Sequence, residues 1–199
     1  MTDLFAAVHA QRAHRDFAAT PVDDEVVARV LDAATFAPSA ENRQPWVFVV
    51  VRDDARRAAL HDLTERAWEG GGREFAARRL DAALLADVEH GIAGGGYRAA
   101  PVVVVVAADM GRCHPATVAA SIFPAVQNLL LAATAVGLGS ALTTLTTAFA
   151  AELAGLLELP DTVVAQAVVP LGYPARPLGP PRREPFAART YRDAFGVPW

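Results

Sequence analysis

Cysteine is almost absent: Cys113 is the single one in 199 residues. That excludes an internal disulfide framework. With only His114 beside it, the thiol makes a poor zinc site, so an ordinary thiol near a loop is expected and no metal. Excess positive charge is missing too. The formal net charge is −4, which argues against nucleic acid or an anionic membrane surface as a partner. The first stretch, MTDLFAAVHAQR, lacks the long apolar centre of a signal peptide and reads as a helix. One segment, 118–141, is apolar enough to resemble a membrane span. Pro124, Gln127 and Asn128 interrupt it and no basic flank follows it, so a buried helix of a soluble, cytoplasmic protein is expected. No dinucleotide fingerprint is present. No strand feeds Gly70-Gly71-Gly72, and the glycine-rich stretch 91–96 leads into a strand, whereas the fingerprint needs strand, then glycines, then helix.

What the chain has in quantity is apolar residue, 53% of the total, enough for one domain with a proper core and a covered subunit interface. A short amphipathic helix is expected over 2–10, with Thr2 as a possible N-cap and Leu4, Phe5 and Val8 on one face. A second helix carries Asp23, Asp24 and Glu25 at its N-terminus, where acids suit the helix dipole, and a buried stripe of Val26, Val27, Val30, Leu31 and Ala34. Helices follow over 53–66 and 73–90, with the glycine stretches bracketing a helical insert or lid at about 65–97. PVVVVVAA at 101–108 reads as the central strand, buried on both faces. The helix at 117–136 is apolar almost all round and ends on Gly137 and Gly139, and a second subunit is the natural way to cover it. Its polar exceptions, Gln127 and Asn128, are expected as satisfied amides. A strand at 141–144, a helix at 148–157 and a strand at 163–171 complete the core. A C-terminal arm at about 175–199 carries Phe186, Tyr191, Phe195 and Trp199 and is expected to pack on something. The pattern describes an α+β layered fold in one domain spanning 1–199.

Two features stand out as chemistry. The first is APSAENRQPWVFVVV, from Ala37 to Val51, where Ser39, Asn42, Arg43 and Gln44 lie between Pro38 and Pro45. Each proline fixes its own φ and restricts its predecessor. Such a rigid polar loop is either a ligand-contacting constellation on a strand–helix scaffold or a tight self-bonded turn. The second is arginine. Arg12 and Arg15 follow the first helix, and Arg182 and Arg183 lie in the tail. Arg12 and Arg15 are either a solvated rim or a phosphate clamp, since guanidinium forks match phosphate oxygens.

The loop residues Ala37, Pro38, Ser39, Asn42, Gln44, Pro45, Trp46 and Phe48 resemble the flavin loop of the nitroreductase family, whose members are FMN-dependent NAD(P)H oxidoreductases. The likeness extends over nearly the whole chain. Arg12, Ala13, Arg15 and Phe17 match the motif after the family's first helix, although Gln11 stands where a basic residue is usual. Gln127-Asn128-Leu129 through Gly137-Leu138-Gly139 is similar to the dimer-interface helix. Val169-Pro170-Leu171-Gly172-Tyr173-Pro174 with Arg182-Arg183 and Pro185 resembles the closing strand and basic pair, Arg183 aligning better than Arg182.

The resemblance implies a central mixed β-sheet flanked by helices, and a homodimer with FMN at the subunit interface. It implies that Arg12, Arg182 and Arg183 serve the phosphate end, that Arg15 faces the N1/O2 edge, and that Ala13, Pro38 and Gln44 also contact the cofactor. Asn42 would reach the pyrimidine edge of the ring, and Ser39 and Ala40 would reach FMN from the second subunit. Thr143, Thr144 and Leu145 would lay backbone groups near N5. It also implies no protein nucleophile and ping-pong transfer from NADH or NADPH to a nitroaromatic, quinone or similar acceptor. Rivals are reductive dehalogenation or oxygen-dependent flavin fragmentation on the same fold, a non-catalytic FMN-storing or FMN-sensing protein, and a structural dimer without cofactor.

Overall fold

The valine-rich runs form one four-stranded sheet, ordered β1-β2-β4-β3. Its strands are β1 (Trp46–Val51), β2 (Val102–Asp109), β3 (Gly139–Ser140) and β4 (Val163–Gly172). The structure is a computed structural model and describes residues 3–93 and 95–199. β2 is an inner strand, as its unbroken apolar run requires. Its pleat sends alternate side chains to opposite layers. Val102, Val104, Val106 and Ala108 share a core with Val30 of α2 (Asp24–Thr35) and with Ile122, Val126 and Leu129 of α6 (Val118–Ala135). Val103 and Val105 share the other core with Leu60 and Leu63 of α3 (Asp54–Ala67) and Leu153 of α7 (Ala150–Leu156). The result is an α+β layered fold.

The ladders between the four strands are all antiparallel, where a mixed sheet is expected. Among the described residues, parallel pairing is confined to the bridge between Ala13 and Ser140. An apolar run reports burial on both faces and carries no information on direction. The strand expected at 141–144 shrinks to β3 plus a bridge from Thr143 to Val168, and a 3-10 turn at Leu145–Phe149 precedes α7.

The insert is two helices, α4 (Arg73–Ala77) and α5 (Ala82–Ile92), where one is expected. Asp81 makes the break, because its side chain accepts the Leu84 N–H at 2.8 Å and caps α5. Gly70-Gly71-Gly72 is no gap. It belongs to a π-turn over Trp68–Gly72, anchored by the buried Trp68. Gly137 ends α6 as expected. Its φ is +84°, and Leu138 N–H reaches back to the Ala133 carbonyl at 2.8 Å, a Schellman closure.

The apolar residues of α1 (Leu4–Ala10) face outward. Leu4, Phe5 and Val8 are exposed, and only Ala7 is buried. Thr2 lies outside the described residues. α6 lies against α1 and α2, and it is long and apolar enough to cross a membrane by composition alone. One side of it meets the core while Ala119, Ala120, Phe123 and Gln127 remain exposed on the other. Asn128 donates to the Ala33 carbonyl at 3.3 Å, a satisfied amide joining α6 to α2. The C-terminal arm folds on itself, with Phe186 edge-on to Trp199 at 6.3 Å and Tyr191 against Phe195 at 4.6 Å. Phe186, Phe195 and Trp199 stay largely exposed.

Candidate active site

The scattered arginines meet. Arg12, Arg15, Arg182 and Arg183, from opposite ends of the chain, line one open cleft of about 840 Å³. Gln11, Ala13 and Arg176 line it too, with Asp81 and Asp87 from the insert as the facing acids. The sequence contains no lysine, so all 18 basic residues are arginine and every fixed cation in the cleft is a guanidinium. Arg12 donates to the Gly179 carbonyl, which ties the N-terminal segment to the tail. Arg182 and Arg183 are exposed, and Arg183 donates to the Arg182 carbonyl at 2.8 Å.

Arg15 is held differently. Its side chain is only 18% exposed, and Nη1 donates to Asp87 Oδ2 at 2.6 Å. Burial pushes the phenol of nearby Tyr97 above its usual pKa, against the opposing pull of the Arg15 guanidinium. Among the described residues Arg15 Nε is buried without a partner. A buried guanidinium nitrogen with no acceptor, on a residue that lines a cleft, is an exception that calls for an explanation, and a ligand acceptor is one. His14, beside it, is pushed below the usual histidine pKa, first by burial and then by Arg12 and Arg176. The sequence reading missed Asp87, Tyr97 and Arg176. The sequence cues are weak: Arg176 follows closely on Tyr173-Pro174, and Asp87 shares a largely apolar helix with Glu89.

Glycine decides how closely the insert approaches. A methyl group at Gly91 would lie 2.5 Å from Arg15 Cβ, and one at Gly96 would overlap the Arg15 carbonyl oxygen. The second glycine stretch is thus the surface that lies flush on Arg15. Gly96→Ala is expected to destabilise the fold by about 1–3 kcal/mol, the usual cost of overpacking. An unchanged denaturation midpoint would refute the close contact.

The loop after α2 lies elsewhere. Ala40 N–H donates to Ser121 Oγ at 3.2 Å, while Leu130 of the same helix lines the arginine cleft. Nine residues of helix put these points about 13 Å apart. Within one chain, therefore, Pro38, Ser39, Ala40, Asn42 and Gln44 do not join the arginines. The loop is a self-bonded turn, Gln44 N–H to Ser39 Oγ at 3.0 Å and Gln44 Nε2 to Asn42 Oδ1 at 3.2 Å. It is also strained, since Glu41, Asn42 and Gln44 all have left-handed φ, at 55°, 53° and 49°. Strain of this kind in non-glycine residues persists only where surroundings over-determine it, and it gathers at functional sites.

Thr143 is spent on structure. It pairs with Val168 through both backbone groups at 2.9 Å, and its Oγ1 accepts the Leu145 N–H at 3.2 Å. Thr144 is exposed and Leu145 is partly buried. Leu142 of this segment lines the cleft.

The model of the nitroreductase family matches residues 8–173. The chain belongs to the nitroreductase family. The chain is 33% identical to an NADH dehydrogenase of Thermus thermophilus, over 92% of the chain and 93% of that protein. It is 38% identical to a 5,6-dimethylbenzimidazole synthase of Rhodospirillum rubrum, over 63% of the chain and 61% of that protein. A solved structure described as a nitroreductase in complex with FMN, from Desulfovibrio desulfuricans, superposes with a TM-score of 0.74 at 28% identity. That superposition covers 98% of this chain and 99% of the other.

Proposed function

We propose that the protein is an FMN-dependent oxidoreductase of the cytoplasm. It takes electrons from NADH or NADPH and passes them to a nitroaromatic, quinone or similar small acceptor in ping-pong order. The observation that carries this is the cleft itself: five arginines against two aspartates, with a buried guanidinium nitrogen that has no partner. Those residues fit an elongated ligand with a dianion at one end and polar ring atoms at the other. Arg183, with Arg182 and Arg12, holds the phosphate, because exposed guanidinium forks can turn to meet it. Arg15, locked by its neighbours, faces the N1/O2 edge. FMN, when bound, supplies the hydride chemistry, and the protein supplies binding, orientation and electrostatics. The active unit is a homodimer, in which Pro38, Ser39, Ala40, Asn42 and Gln44 of a second copy close the cleft. The exposed apolar residues of α1, the bare side of α6 and the aromatic arm support this assembly.

Titration of apo-protein with both flavins is the test. FMN is expected to bind one per site, more tightly than FAD. No binding, or preference for FAD, would refute it, and turnover of NAD(P)H with a quinone excludes a storage role. A second reading, different flavin chemistry on the same fold, draws support from the likeness to the 5,6-dimethylbenzimidazole synthase. With oxygen as sole acceptor, loss of bound flavin during NAD(P)H oxidation would favour that reading, and intact flavin the first.

A further inference from the structure

We propose that Asp87 is a positioning carboxylate, which fastens the insert helix α5 to Arg15 and Arg176 and tempers the positive charge that Arg15 presents to reduced FMN. The second half rests on the proposed use of FMN.

The geometry is that of a staple. One oxygen of Asp87 takes Arg15 Nη1 at 2.6 Å, and the other lies 3.4 Å from Arg176 Nη2. Three segments distant in sequence meet on one carboxylate: the stretch after the first helix, the insert, and the start of the C-terminal arm. The two halves are unequal. The side chain of Arg15 is 18% exposed and that of Arg176 is 60% exposed. Water screens the Arg176 half more strongly, so the Arg15 contact carries most of the fastening. Shape reinforces charge. Gly91, one helical turn beyond Asp87, leaves room for the stem of Arg15 and for nothing larger.

An ion pair also has a smaller field at a third point than a lone cation has. Negative charge gathers at the N1/O2 edge of the flavin when it is reduced. Arg15 favours that charge, and Asp87, held beside Arg15, opposes it. The insert therefore does more than cover the cleft. Its acid sets how much of the guanidinium charge the ring experiences.

Asp87→Asn removes the charge and keeps the shape, and Asp87→Glu keeps the charge on a longer stem. Two measurements decide. In flavin-free protein, amide exchange across 82–92 is expected to be faster in Asp87→Asn than in the parent, because local opening of α5 becomes easier. In FMN-loaded protein, the midpoint potential of Asp87→Asn is expected to rise, while Asp87→Glu stays near the parent. Unchanged exchange overturns the fastening. A potential equal to or below that of the parent overturns the tempering of charge. If the parent takes up no FMN, the proposed function fails with the tempering half, and the exchange result still judges the fastening.

Discussion

Arg183→Ala is expected to weaken FMN binding by roughly 1.5–3 kcal/mol, the range for a hydrogen bond to a charged group. That corresponds to between about tenfold and a hundredfold in affinity. The midpoint potential should stay nearly unchanged once the site is saturated, because the phosphate carries the same charge in both oxidation states. Arg15→Ala is expected to behave oppositely. Negative charge at the N1/O2 edge appears on reduction, so losing Arg15 costs reduced FMN more than oxidised FMN and lowers the potential. The structure sharpens the contrast. Arg183 is exposed and, among the described residues, bonded to a neighbouring carbonyl, so it can swing to a phosphate at little cost. Arg15 is half-buried and fixed by Asp87 and cannot. Gln11 lines the same cleft without a charge, which leaves Arg183 with less cover from neighbours. Spectroelectrochemical titration of both variants beside the parent is the measurement. If Arg15→Ala leaves the potential unchanged while Arg183→Ala shifts it, the two ends of the flavin are reversed.

A charge on the bare side of α6 is expected to abolish both assembly and cofactor binding. Phe123 is exposed in the single chain. In a homodimer formed through this side it becomes buried, and Phe123→Asp then places an unpaired carboxylate in an apolar interface. Burying an unpaired charge costs several kcal/mol. An obligate interface that buries on the order of 2,000 Å² offers no alternative site for it. The expected product is a folded monomer in sedimentation at micromolar concentration, without bound flavin. On the proposed assembly loss of flavin follows, because the strained loop of Ser39, Ala40 and Asn42 lies away from the arginines of its own chain and a second copy delivers it. A monomeric variant that keeps FMN at parental affinity would refute both the dimer and the shared site.

Much of this was legible in the residues themselves. Unbroken valines placed β2 inside the sheet, because both faces of an inner strand need apolar cover. Gly137 announced the end of α6, because a left-handed C-cap favours glycine. The loop from Ala37 to Phe48 and the Arg12–Phe17 motif pointed to the family, because those residue types recur at that spacing. Strand direction was not legible, since burial alone does not encode it. Nor was the break at Asp81, where an apolar helix pattern ran on and one capping side chain interrupted it. The Arg15–Asp87 pair joins residues 72 positions apart, and no local pattern connects them. The same holds for the separation of the Ser39 loop from the arginine cleft. Local sequence determined which faces are apolar and where helices stop, because those depend on side chains a few residues apart. Only the tertiary structure decided which acid holds which arginine, because that depends on the path of the whole chain and on two glycines that let one segment lie against another.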